Sequence, residues 1–300
     1  MEAPAWLWIA CTVAAAGAQT ARNAMQRSLI ERLGTVGATH VRFLFGLPFG
    51  IVFLAVVLFA HGASPPAFSA TYLGWVLLGA VFQILGTGLM LAAMRERSFV
   101  ITTAYVKTEP VQVALFGLVF LGEMPSAVAA VAILIATIGV VLMSLPALDA
   151  PGPRLAARPM LLGLAAGSMF ALSAVGYRGA VLALGHGPFA VRASTALATA
   201  LTIQTVLLTG YLLVRDRRAL AEIMRAWRAS VGAGLMGAVA SQLWFLAFTL
   251  QAAAAVRTLG LVEILFAQAL SRRLFAQPTR PLEAVGIGLV VLGVLMLLSA

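Results

Sequence analysis

The chain has 300 residues, 62% of them hydrophobic and 10% charged, with a formal net charge of +10. Soluble domains carry roughly 25% charged and 45–50% apolar residues, so this composition, with a mean hydropathy of +1.01, excludes an ordinary water-soluble fold. The positive charge is not a nucleic-acid footprint, because the arginines fall mostly between apolar segments, where anionic lipid headgroups suffice as partner.

Ten apolar windows follow in chain order: 4–24, 37–60, 71–94, 98–121, 126–146, 159–183, 188–213, 229–250, 252–271 and 282–299. Most reach the ~17–25 residues that cross a hydrocarbon core about 30 Å thick. Alternation with period two is absent, which argues against a membrane β-barrel. Residues 1–10 lack a basic leader and the apolar run outlasts a signal peptide, so the first window reads as a span. The single cysteine, Cys11, excludes an intrachain disulfide and a cysteine metal cluster. The expected fold is all-α, a polytopic membrane protein of ten transmembrane helices.

The first two windows carry polar residues that apolar packing does not explain. Gln19, Arg22, Asn23 and Gln26 recur at helical spacing and share one face. Such a stripe either lines a wet cavity or joins helices together. His40 and Arg42 open the second window, where an arginine either snorkels to the interface or reaches inward. Arg192 holds the matching place in window 188–213.

The fourth window reads Tyr105-Val106-Lys107-Thr108-Glu109-Pro110. Lys107 is the only lysine in the chain and lies about ten residues into an apolar run, too deep for an interfacial anchor. Pro110 lacks a backbone donor and is expected to bend or break the helix beside two charges. A broken mid-membrane helix is a binding feature of carriers; an internal ion pair is the alternative. The ninth window gives a related pair, Arg257 and Glu263, the latter flanked by apolar residues and therefore paired, protonated or in a wet cavity. Further candidates for the lining are Gln83, Gln242, Tyr177, Arg178, Gln204 and Trp244. For Gln204 and Trp244, packing is the favoured reading.

The loops are asymmetric. Arg27, Arg32, Arg95, Arg97, Arg154, Arg158, Arg215, Arg217, Arg218, Arg225, Arg228, Arg272, Arg273 and Arg280 fall in alternate connections. The connections near 61–70, 122–125 and 184–187 hold no Lys or Arg. The positive-inside rule then puts the odd-numbered loops in the cytoplasm and both termini outside.

The two halves also resemble each other. At an offset of 154 residues, Glu109 falls on Glu263 and Gly139-Val140-Val141-Leu142-Met143 on Gly293-Val294-Leu295-Met296-Leu297. Similar offsets align Gly79-Ala80-Val81 with Gly237-Ala238-Val239 and Val41-Arg42 with Val191-Arg192. Five windows per half would make the second half inverted relative to the first. The expected organisation is two five-helix repeats, 1–146 and 159–300, joined by a linker at 147–158.

These features resemble the drug/metabolite transporter superfamily in its ten-span form with two EamA-type repeats. The resemblance rests on Glu109-Pro110 followed by an apolar run to Phe120-Leu121-Gly122-Glu123, on the glycine-led ending at Gly139, and on Arg42. In the second half Glu263 is kept, but Ile264 replaces the proline and Ala276-Gln277 the Gly-Glu. The resemblance implies a multi-pass carrier of the cell inner membrane for amino acids, other small metabolites or drugs, often an exporter. It also implies cytoplasmic termini, in conflict with the loop charges.

No HExxH, GxSxG or Walker A motif and no clustered His/Cys metal set is present, so neither an enzyme nor an ATP-driven pump is expected. The expected function is secondary active transport, as exporter or exchanger, without a cofactor. Proton coupling follows if Glu109 or Glu263 titrates near neutrality. The expected partners are a small-molecule substrate and the lipid bilayer, with the chain a monomer or homodimer. With cations Lys107, Arg42, Arg192 and Arg257 against Glu109 and Glu263, an amino acid or related zwitterion fits best. An organic anion or a cationic drug is the alternative, and a channel or membrane enzyme has less support.

Overall fold

The computed structural model describes residues 3–96, 105–143, 157–266 and 281–300, without the side chains of Arg27, Arg95, Glu96, Ala157 and Pro159. Most of the expected linker, Arg97, Arg154, Arg272, Arg273 and Arg280, Ala276-Gln277, and parts of windows 98–121 and 252–271 lie outside the described residues. The elements are α1 (Leu7–Leu44), α2 (Leu47–His61), α3 (Ala70–Glu96), α4 (Glu109–Leu121), α5 (Ala127–Met143), α6 (Ala157–Ala183), α7 (Phe189–Arg215), α8 (Arg217–Arg225), α9 (Trp227–Leu250), α10 (Ala253–Leu259) and α11 (Pro281–Leu298).

The all-α class stands, but ten spans in two inverted five-helix repeats do not match the structure. Among the described residues, six segments are long and apolar enough to cross a membrane: Ser28–His61, Ala70–Met94, Met160–Ala183, Phe189–Arg215, Trp227–Leu250 and Pro281–Leu298. Glu109–Leu121 and Ala127–Met143 are apolar but shorter. Hydropathy windows measure the length of an apolar run, not the continuity of a helix. In the first window region, α1 stays helical through its polar stripe as far as Leu33. Thr20–Leu33 is rich in Ala, Arg, Met, Gln and Leu, which are good helix formers whatever their polarity. The interruption comes later, at Gly34, whose φ of 67° and ψ of 177° are open to glycine but strained for other residues. In the ninth window the helix ends early, and α10 has only seven residues.

The most extensive helix–helix contacts are α3 with α6, α1 with α9, and α5 with α11. Each joins a helix from residues 1–146 to one from 159–300. The α5–α11 contact needs glycine: a Cβ on Gly286 would lie 2.5 Å from the Gly139 carbonyl oxygen, and one on Gly139 would lie 2.7 Å from that of Gly286. Close backbone approach of this kind is how helices associate where lipid removes the hydrophobic drive. Large apolar side chains point outward instead, Phe59 being 91% and Val214 83% exposed. Water would reject such a surface, whereas acyl chains accept it. The helix α8 is short, capped by the Asp216 carboxylate on the Ala219 amide, and buries Ile223. The largest buried cluster contains Phe43, Tyr72, Val113, Tyr177, Trp244 and Phe245, and the polar site lies against it.

Candidate functional site

Two helix interruptions build the site. Residues 107 and 108 form a turn, after which α4 starts at Glu109 with Pro110 in its first turn, where a missing amide costs nothing. On the other side α10 ends at Leu259, Gly260 and Leu261 turn, and residues 262–266 are helical again. Both charged segments therefore sit at breaks, where backbone and side chains turn inward together.

The charges pair across these segments, not within them. Lys107 forms an ion pair with Glu263. Arg257 grips Glu109 with two parallel bonds, Nε to Oε1 and Nη2 to Oε2, each 2.6 Å. Burial is deep: Lys107 is 6%, Glu109 1% and Glu263 2% exposed. Desolvated charges of this kind persist only when paired and hydrogen-bonded. The stripe on α1 completes the shell. Gln19 Nε2 donates to Glu263 Oε2 at 2.7 Å, and Asn23 Nδ2 donates to Oε1 at 3.2 Å. Trp244 Nε1 donates to Gln19 Oε1 at 3.1 Å, and the Arg257 guanidinium lies 4.6 Å from the Trp244 ring centroid. One network thus joins both ion pairs through an indole.

These groups surround a cavity lined also by Arg22, Arg42, Gln83, Tyr177, Ser241 and the rings of Phe170, Phe245 and Phe248. Arg42 is inward-facing and only 4% exposed, not interfacial, and His40 is fully buried with Nε2 3.0 Å from Thr209 Oγ1. Arg42 meets Thr87 Oγ1 at 3.3 Å and Ser241 Oγ at 3.4 Å. With its amide oxygen toward α1, Gln83 accepts from Arg42 Nη1 and Nη2 at 2.9 and 3.0 Å and donates to Ser173 Oγ at 2.7 Å.

Arg192, Gln242, Tyr105, Arg178 and Gln204, all expected in the lining, lie elsewhere. Arg192 donates to the carbonyls of Val181 and Gly185, where the end of α6 leaves acceptors without amide partners. Gln242 donates to Ser194 Oγ at 3.0 Å. Tyr105 packs on α6 at Gly163, where an added Cβ would come within 2.5 Å of its own. Arg178 is held by Glu123 at 2.6 Å, Gln204 donates to the Tyr177 hydroxyl at 2.9 Å, and Gln26 bridges the α1 kink to the Ala38 carbonyl. Ser241, Phe170, Phe245 and Phe248 line the cavity without having stood out in the sequence, since small hydroxyls and aromatics are ordinary in apolar helices. Among the described residues no group of three or more His, Cys, Asp or Glu could hold a metal ion.

Comparison with curated proteins found no match. A solved crystal structure is 17% identical, with a TM-score of 0.68 over 96% of this chain and 95% of the other, which establishes a shared fold. Residues 4–145 match the EamA-like transporter family, and that match does not extend to the second repeat expected at 159–300. The matched family is one of transporters, not enzymes. This chain is a multi-pass membrane protein whose N-terminal region matches an EamA domain, and the match together with its apolar helices supports a general role in small-molecule transport.

Proposed function

We propose that the chain is a secondary carrier of the cell inner membrane that moves small metabolites by gradient or exchange. One observation carries this reading: a polar cavity, lined by buried charges of both signs, lies between helices whose outer surfaces are apolar. Discontinuous helices with charges at their breaks are how many carriers present a site near mid-membrane. The cavity volume is about 50 Å³, room for a few waters. A metabolite then enters only as the crossed ion pairs separate. That opening step is the physical basis for a carrier cycle, where a channel would need a standing path.

The substrates that fit are small metabolites with an acid group, whether organic anions or amino acids and related zwitterions. Cationic drugs fit poorly, because all four oxygens of Glu109 and Glu263 already accept from protein donors. The test is counterflow in proteoliposomes. Saturable, trans-stimulated exchange is expected, whereas a conductance without saturation would make the protein a channel. An imposed pH gradient tests coupling: faster uptake supports a proton route through one of the acids, and indifference leaves exchange.

A further inference from the structure

The charge on the cavity wall does not balance. Among the described residues it carries four cations, Arg22, Arg42, Lys107 and Arg257, against two carboxylates, Glu109 and Glu263. The carboxylates are consumed by Lys107 and Arg257. Arg22 and Arg42 form no direct ion pair among the described residues, Arg22 reaching Glu263 only through Asn23, although they are 2% and 4% exposed. Their hydrogen bonding is also incomplete. Arg22 gives Nε and Nη2 to Asn23 Oδ1, at 3.2 and 2.6 Å, and its Nη1 is buried without an acceptor. The Nε of Arg42 is likewise buried without one. Their stems converge on one point of α9: a Cβ on Gly237 would lie 3.2 Å from Arg42 Cγ and 3.3 Å from Arg22 Cδ. Two buried guanidinium groups side by side with spare donors are costly unless something negative completes them.

We propose that Arg22 and Arg42 form the seat for an oxyanion group, a carboxylate or a phosphate, and that the transported metabolite is a net anion. This rests on the carrier reading above and sharpens its substrate class. The guanidinium fork suits both oxyanions, which it binds through parallel hydrogen bonds. An ammonium group finds no free carboxylate oxygen, so a neutral zwitterion satisfies only one of its two charges here. Gln83, Thr87 and Ser241 hold the Arg42 guanidinium in place without offsetting its charge.

The experiment measures the melting temperature of the purified full chain at constant ionic strength. Acetate, inorganic phosphate, glycine and tetramethylammonium are titrated separately. Acetate or phosphate should raise it saturably, with glycine at least about tenfold weaker, the cost of leaving a charge unmatched, and tetramethylammonium without effect. The preferred oxyanion tells a carboxylate from a phosphate substrate. Arg22→Gln and Arg42→Gln should each weaken the anion at least about tenfold, while exposed Arg217→Gln leaves it unchanged. Glycine binding as tightly as either oxyanion, or anion binding indifferent to both substitutions, overturns the seat. Should the variants not purify, the wild-type ranking of oxyanion over glycine decides alone. Saturable binding of an oxyanion without counterflow would instead overturn the carrier reading and leave the seat standing.

Discussion

Around the breaks beside α4 and α10, each carboxylate of the cavity meets a cation from the opposite segment; on α1, Arg22 and Arg42 hydrogen-bond only to neutral groups. The unpaired arginines are at least as buried as the paired groups, so solvent does not explain the contrast. In the first region removing one partner strands a charge that was matched. In the second, removing one cation relieves a charge that was not. The first region therefore stabilises the fold, and the second is where the proposed oxyanion would supply the missing charge.

The largest effect should come from Lys107→Met, which strands Glu263 and costs about 3–5 kcal/mol. A lower melting temperature and lost counterflow are expected. Adding Glu263→Gln should recover most of the stability, because it removes the orphaned charge. If the double variant melts below the single, the pair is not what stabilises this region. Trp244→Phe should cost less, about 1–2 kcal/mol, through the lost indole donor to Gln19 and a weaker cation–π contact with Arg257. Arg22→Gln should cost least, changing stability by less than about 1 kcal/mol or raising it, since a buried cation without a counterion is removed. A loss as large as that of Lys107→Met would abolish the contrast between the two regions.

The residues of the paired region are legible in sequence because charge stands out in apolar context. Lys107, Glu109, Arg257 and Glu263 all announce themselves, and so does the spacing of Gln19 and Asn23. Their partners are not legible. Lys107 lies two residues from Glu109 yet pairs with Glu263, 156 positions away, because neighbours two apart diverge on a helix and the breaks re-aim them. Arg192 aligns with Arg42 by position but lies at a helix end with free carbonyls, so local acceptors capture it. The number of spans is less legible still. Apolar composition cannot tell one kinked helix such as α1 from two, or a full crossing from the 13 residues of α4.

The central claim is that this cavity lies on the transport route. Ser241 is the position to probe, since it lines the cavity and a cysteine there is nearly isosteric. In a Cys11→Ser background, Ser241→Cys should react with a membrane-impermeant anionic thiol reagent added to either side of oriented proteoliposomes. A transported metabolite should slow that reaction. A cysteine that stays unreactive from both sides while counterflow proceeds would contradict the account.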